Sequence, residues 1–239
     1  MDTKDKLRDK IYSYYKANGY AKTLNVAKSI LESKNSTGII RGELCECILV
    51  IYLEEFIKVN KIKDWVVSKG LILRDLENPD SSYLTELDVT LFTPKRIFLF
   101  ECKSYSGTKV LTGRGQISVK SGKKYNKKID VYEQHIKHYI ALHKYLKDFK
   151  HSNAKSKPFK MAMFDFSTSG YLDKRDSNAK GVMPLVTPET VSKLFSNYKS
   201  LDVCWDIDYV KEVVKIMEDS KEKVTNKHLA YVKSLHGKS

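Results

Sequence analysis

The segment that decides the fold is TELDVTLFTPKRIFLFECKSYSG, residues 85–107. Apolar and polar residues alternate from 87 to 91, and the run Ile97–Phe100 is entirely apolar. The intervening TPKR, residues 93–96, has the composition of a turn. Because a continuous apolar strand is covered on both faces, the pattern predicts a β-hairpin whose second strand lies at the centre of an α/β sheet.

Charged residues lie at the end of this hairpin that is far from its turn. If the strands pair through the turn, Asp88 and Glu101 stand opposite each other, and Lys103 shares the face of Glu101. Charges at the end of a central strand are costly unless they have a partner or a metal. Two carboxylates and a backbone carbonyl suit Mg²⁺ or Mn²⁺, and a lysine can orient a water or stabilise charge on a phosphate. The pattern therefore predicts a metal–carboxylate site.

A preceding helix, predicted over about 42–58, offers a further acid to this site. Glu43 could complete the metal shell, and Glu46, one turn later, is the alternative. Glu86 shares the face of Asp88 in a regular strand and could contribute to the site, although a surface position is the favoured expectation.

The remaining segments predict a mixed α/β chain. Periodicity predicts helices over 3–34, 131–149 and 208–235, and it gives the 131–149 helix an apolar face that includes Ile140, Leu142, His143 and Leu146. Strands are expected over 161–166 and 183–186, and a strand or a short irregular piece over 66–73. A hairpin or meander is expected within 110–119 and a loop over 78–82. Thr187-Pro188-Glu189 has the composition of a helix start.

Composition and charge limit the classes of binding partner and the expected location of the protein. The net charge of +14 over 239 residues favours an anionic partner, of which nucleic acid is the leading candidate, although only six of the 43 basic residues are Arg and a Lys-rich composition alone could account for it. No apolar run is long enough to span a membrane and no signal peptide is apparent, so we expect a cytoplasmic protein. The four cysteines lack zinc-site spacing and are predicted to be reduced, buried thiols.

The order of these motifs resembles the PD-(D/E)xK nuclease superfamily and, within it, the nuclease-related domain (NERD) family. The resemblance covers roughly residues 38–200. The chain departs from the family pattern at two points: Leu87 rather than Pro precedes Asp88, and the Trp that is frequent in the family's middle hairpin is absent near Gln116. The matching motifs are Gly42-Glu43, Glu86-Leu87-Asp88, the strand ending in Glu101-Cys102-Lys103, the turn Tyr105-Ser106-Gly107, and Glu133-Gln134 with His138.

This resemblance implies a restriction-endonuclease-like mixed β-sheet core flanked by helices. It places the nuclease domain at 38–205, an N-terminal helical segment at 1–37 and a C-terminal helix at 206–239. Asp88, Glu101 and the Cys102 carbonyl would hold the metal, with Glu43 as an additional ligand. Lys103 would position the nucleophilic water, and Gln134 would face the site. His138 is a further candidate.

The leading hypothesis is a Mg²⁺- or Mn²⁺-dependent deoxyribonuclease. Phosphate contacts are expected from basic residues on the hairpin after the site, namely Lys109, Arg114, Lys120, Lys123, Lys124, Lys127 and Lys128. The alternative is a non-catalytic nucleic-acid-binding or assembly module built on the same fold. The terminal helices either pack on the domain or mediate oligomerisation or binding of a partner protein.

Overall fold

The computed structural model describes residues 3–74, 84–121, 124–148, 159–166, 170–176 and 181–219. It begins with three helices, α1 (Thr3–Asn18), α2 (Tyr20–Glu32) and α3 (Gly38–Val59). Gly19, with a φ of 77°, makes the sharp break between α1 and α2. Ile11, Ala27 and Leu31 are buried in the same core as α3. The predicted N-terminal helical segment is therefore present as two helices, and both pack against α3.

The central sheet has five strands in the order β1-β2-β3-β7-β9. Its members are β1 (Val66–Arg74), β2 (Leu84–Phe92), β3 (Ile97–Cys102), β7 (Phe159–Phe164) and β9 (Leu185–Val186). The first three strands pair antiparallel, and β7 pairs parallel with both β3 and β9. Every residue of β3 is buried. The predicted hairpin is confirmed, and Thr93 N donates to Arg96 O at 3.1 Å in its turn.

A second sheet of four strands has the order β6-β5-β4-β8. It consists of β4 (Thr108–Thr112), β5 (Gln116–Ser121), β6 (Lys124–Asp130) and β8 (Tyr171–Asp173). The helix α4 (Val131–Asp148) follows β6 directly. The hairpin expected after the charged cluster is thus the β4–β5 pair.

Helices cover both faces of the central sheet. Against one face, the core formed with α1–α3 takes in Phe98 and Phe100. Against the other, Leu142 and Leu146 of α4 pack with Leu99 and with the helix α5 (207–219). The expected mixed α/β core flanked by helices is confirmed. All four cysteines are free and buried, as predicted.

Two sequence-based predictions need correction. The segment after Thr187 does not start an α-helix at Pro188: a turn precedes the 3₁₀ helix Val191–Phe195, and a second 3₁₀ helix covers Tyr198–Ser200. On α4, Ile140 and His143 are exposed, although both were assigned to the apolar face. The loop expected over 78–82 and the predicted helix beyond 219 lie outside the described residues.

The buried stripe of α4 differs from the predicted one because of its register on the sheet. Along with the two leucines, this stripe contains Val131, His135 and His138, at helical spacings of three and four. Two imidazoles therefore enter the interior beneath the central strand.

The side-chain alternation of β1 and β2 is interrupted where Gly70 faces Asp88. Val89 packs toward α3, whereas Leu71 and Leu87 pack in the core on the α4 side. The pairs Lys69↔Val89 and Leu71↔Leu87 flank this point, and Gly70 has a φ of 61°. The left-handed residue allows the strand to twist locally, so Asp88 lies where the two faces exchange.

Among the described residues, no helix combines the length and apolarity needed to cross a bilayer.

Candidate functional site

Two carboxylates meet at the open end of the β2–β3 hairpin. In the antiparallel pairing of β2 with β3, Val89 lies opposite Phe100, and the same register places Asp88 opposite Glu101. Cys102 N donates to Asp88 Oδ2 at 2.8 Å, which ties this carboxylate to the end of β3. Glu101 is 0% exposed, and Lys103 Nζ lies 2.6 Å from its Oε1. The structure thus brings together Asp88, Glu101 and Lys103 as the hairpin register requires.

The pKa values of the two carboxyl groups, Asp88 and Glu101, shift in opposite directions. Burial, followed by the charge of Glu101, raises the pKa of Asp88 well above its usual range. Burial alone would also raise the pKa of Glu101, but Lys103 and the imidazoles beside it bring it well below its usual range. Burial would lower the pKa of Lys103, yet the two carboxylates raise it above its ordinary value. Lys103 therefore stays protonated at neutral pH.

Two histidines of α4 complete the surroundings of Glu101. Nδ1 of His138 lies 3.2 Å from Glu101 Oε2, and Nδ1 of His135 lies 3.5 Å from the same oxygen. His135 Nε2 is 2.9 Å from Leu99 O. Both rings are almost fully buried. Sequence reasoning named His138 as a candidate but missed His135, although the His-x-x-His spacing on one helix face was a signal.

The acids of α3 are held by a lysine of β1. Lys69 Nζ lies 2.8 Å from Glu43 Oε1 and 3.0 Å from Glu46 Oε2. Burial raises the pKa of Glu46, and the carboxylates raise that of Lys69 despite its burial. Glu46 also contributes to the raised pKa of Asp88. The negative charge of Glu46 therefore acts on the carboxylate of Asp88 in the hairpin site.

Lys69 was not singled out from the sequence. A lysine inside an apolar strand and directly before a glycine was the available signal, because a charged side chain there needs a buried partner.

Solvent reaches the cluster from one side. Asp88 is partly exposed, and the side chains of Lys103, Lys69 and Glu46 have between 16% and 19% of their area exposed. Glu101 and the imidazoles lie behind them. A phosphate group or a water can thus approach the Asp88 and Lys103 side without unfolding of the core.

Two of the predicted site residues lie at the margin of this cluster. Gln134 is half-buried on α4 and makes no hydrogen bond to these carboxylates within the described part of the chain. Glu86 is exposed on β2, on the side of Glu46, whose pKa it helps to raise.

The basic hairpin requires one correction. Lys109 was expected to contact phosphates, but it is 0% exposed. Its Nζ lies 3.1 Å from Asp165 Oδ2 and 4.5 Å from the centre of the Tyr171 ring, and the Tyr171 hydroxyl donates to the same carboxylate. Burial lowers the pKa of Lys109. This lysine belongs to the interior, and it cannot reach a nucleic acid on the surface.

The other basic residues of the hairpin are at the surface or outside the described side chains. Arg114 and Lys120 are exposed, with the Arg114 guanidinium 5.6 Å from the centre of the Tyr132 ring. The side chains of Lys124, Lys127 and Lys128 on β6 are not described, and Lys123 lies outside the described residues.

The donor set fits a hard divalent cation. Four carboxylates (Glu43, Glu46, Asp88 and Glu101) share this end of the sheet with two ammonium groups, and neither oxygen of Glu101 makes a well-directed hydrogen bond within the described residues. Buried carboxylates are stable as anions only when a cation compensates them. Oxygen ligands with excess negative charge are those that Mg²⁺ and Mn²⁺ prefer.

A family model matches the central part of the chain. The family model of the nuclease-related domain matches residues 41–164, just over half of the chain. The match begins within α3 and ends at the last residue of β7, so it includes the hairpin, both histidines and the acids of α3. No curated protein and no solved structure matches the chain significantly.

Proposed function

Because this chain belongs to the nuclease-related domain family, we propose that it is a nuclease that hydrolyses DNA phosphodiester bonds with the help of Mg²⁺ or Mn²⁺. The observation that carries the proposal is the juxtaposition of Asp88, Glu101 and Lys103 at the end of one buried hairpin. We assign the catalytic unit to residues 38–205, with 1–37 and 206–239 as flanking segments.

In this proposal Asp88, Glu101 and the carbonyl of Cys102 hold the metal, with Glu43 or Glu46 as the acid from α3. A divalent ion bound there would polarise the phosphodiester and lower the pKa of a bound water. Glu46 is the better placed of the two α3 acids, because its charge acts on Asp88. Both acids are fixed by Lys69, so release of one of them toward a metal would leave the other to neutralise the ammonium.

Lys103 has an electrostatic role in this mechanism. Since its pKa is raised, it cannot accept a proton at neutral pH and does not act as the general base. Its ammonium can donate hydrogen bonds to the attacking water or to the phosphate oxygen on which charge develops. Burial of its partner Glu101 keeps the ammonium in one position. Gln134 remains a candidate for a contact with substrate from α4.

Binding of the nucleic-acid backbone is assigned to the exposed basic residues. Arg114 and Lys120 lie on the hairpin that follows the site, and the chain carries a net charge of +14. Lys124, Lys127 and Lys128 on β6 extend this set, and Lys123 completes it. Such contacts supply affinity without sequence preference.

Cleavage of plasmid, linear duplex and single-stranded DNA by the purified chain tests the proposal. Glu101→Gln should lose metal-dependent cleavage by at least about 100-fold, because it removes a proposed metal ligand. Glu133→Gln is the matched control, since this carboxylate is exposed on α4 and pairs only loosely with Lys137, at 4.0 Å.

Retained cleavage in Glu101→Gln would refute the assignment. Binding of DNA without cleavage under every divalent ion would favour the alternative, a non-catalytic nucleic-acid-binding module.

A further inference from the structure

A second group of ligands lies behind the hairpin site. One carboxylate oxygen of Glu101, one nitrogen of His135 and one nitrogen of His138 lie within 4.8 Å of one another, and all three residues are buried. Within the described residues, Nδ1 of each histidine and Oε2 of Glu101 make no well-directed hydrogen bond, whereas Oε1 of Glu101 faces the Lys103 ammonium. Unpaired polar atoms are rare in a protein interior, and three that converge on one point call for a ligand.

The tautomer of His135 sharpens this observation. Leu99 O can only accept, so His135 Nε2, at 2.9 Å from it, must carry the proton. In the neutral ring, Nδ1 then presents a lone pair toward Glu101 Oε2 at 3.5 Å. Two lone pairs that face each other in a buried site repel unless a proton or a metal cation lies between them. Moreover, donation of the second ring nitrogen to a backbone carbonyl is the usual arrangement of a metal-bound histidine.

The spacing of the atoms also fits a small transition metal. Ligand bonds of about 2.0–2.1 Å in a tetrahedral site separate the ligand atoms by about 3.3 Å. The contacts of Oε2 with the two Nδ1 atoms measure 3.2 and 3.5 Å. Two imidazoles and one carboxylate form a set typical of Zn²⁺, Fe²⁺ or Co²⁺, with a position left for water. Mg²⁺, which prefers oxygen ligands, is a poor match for two nitrogens.

We propose that Glu101, His135 and His138 bind a borderline transition-metal ion, with Zn²⁺ as the representative. The site shares Glu101 with the proposed nuclease site, through Oε2, while Oε1 is directed to Lys103. The proposal does not require that the protein cleave DNA. A bound ion would join α4 to β3 and would hold the Glu101 carboxylate in one orientation relative to Asp88.

Metal binding by the full-length chain tests this proposal directly. The protein is freed of metal with a chelator, titrated with Co²⁺ and followed by visible absorption, and Zn²⁺ affinity is obtained by competition. The wild type should show the intense d–d bands of a four- or five-coordinate site. His138→Gln should weaken Co²⁺ and Zn²⁺ binding by at least about 100-fold, since loss of second-shell partners alone costs 10–100-fold.

Two variants serve as controls. His143→Gln changes an exposed histidine of the same helix and should bind as the wild type does. Asp88→Asn should also retain the Co²⁺ spectrum, because Asp88 belongs only to the proposed nuclease site. Circular dichroism establishes that each variant is folded, and His135→Asn provides a second test if His138→Gln is not.

The outcomes separate the two proposals. Absence of Co²⁺ binding in the wild type, unchanged binding in folded His138→Gln and His135→Asn, or a thiolate charge-transfer band that assigns the ion to cysteine would each overturn the imidazole site. None of these results bears on Mg²⁺-dependent cleavage. Conversely, a protein that binds Co²⁺ as expected but never cleaves DNA would refute the nuclease and leave this site intact.

Discussion

Replacement of Asp88 by Asn should stabilise the metal-free protein. The pKa of Asp88 is raised in the folded state above its ordinary value of 3.8, so the folded state holds the proton more tightly than the unfolded chain. Stability is therefore lost as the pH rises through this interval, and the loss is present at neutral pH. An isosteric amide cannot ionise, its oxygen can still accept from Cys102 N, and its NH₂ can donate to Glu101.

The magnitude follows from the hairpin geometry. Groups directly opposite on antiparallel strands are about 5 Å apart. Two unit charges at about that distance repel by about 3 kcal/mol at an effective dielectric constant near 20. Lys103 and the Cys102 amide offset part of this repulsion. The variant should thus gain about 1–3 kcal/mol in free energy of unfolding at neutral pH. Each unit by which the pKa of Asp88 is raised accounts for about 1.4 kcal/mol of that gain.

Urea unfolding measures this difference through the fluorescence of Trp65 and Trp205, both of which are buried. With a chelator, the gain of the variant should shrink as the pH falls toward the ordinary pKa of aspartate. With Mg²⁺ at about 100 times its dissociation constant, the wild type should gain about 2.7 kcal/mol and the variant almost none.

In the control variant, the change in free energy of unfolding should have the opposite sign. Asp173, held by Arg175 on the surface, has a lowered pKa, so Asp173→Asn should lose a little stability at neutral pH. Two results would refute this account of the site. One is a metal-free Asp88→Asn protein that is less stable than the wild type at neutral pH, and the other is a variant that Mg²⁺ stabilises as much as it stabilises the wild type.

Three further predictions concern the site, the interior and the surface. Lys103→Met should reduce kcat with Mg²⁺ by about 10²–10³ and leave KM nearly unchanged, and a wild-type kcat would exclude its electrostatic role. Asp165→Asn removes the carboxylate that pairs with the buried Lys109 ammonium, so urea unfolding should show a loss of about 3–5 kcal/mol, and a loss below about 1 kcal/mol, as at a surface ion pair, would contradict the burial of this pair. Arg114→Gln with Lys120→Gln should weaken DNA binding and reduce the slope of log affinity against log salt by about 1.8, whereas an unchanged slope would remove both residues from the interface.

The hairpin and its charged end were predictable because their determinants are local. Alternation over 87–91, the TPKR turn and the apolar run after it determine which residues pair, and pairing alone brings Asp88 opposite Glu101. The resemblance to the nuclease-related domain family rested on this hairpin together with short motifs on α3 and α4, and the family match bears it out.

What the sequence did not reveal depends on contacts between distant segments. Lys109 resembles its basic neighbours on the hairpin, and its burial follows from Asp165 and Tyr171, which come much later in the chain. His135 shares the helical stripe of Leu142 and Leu146, but a histidine at such a position does not by itself indicate burial. Its burial results from the register of α4 on β3, where Leu99 O accepts a hydrogen bond from its Nε2.

Anomalous diffraction from crystals of the full-length chain grown with Mn²⁺ tests the central claim most directly. The account predicts a peak within about 2.0–2.3 Å of a carboxylate oxygen of both Asp88 and Glu101, and its loss in Asp88→Asn. An ordered site at saturating Mn²⁺ with no peak in contact with Asp88 would contradict the assignment of this hairpin as the metal-dependent catalytic centre.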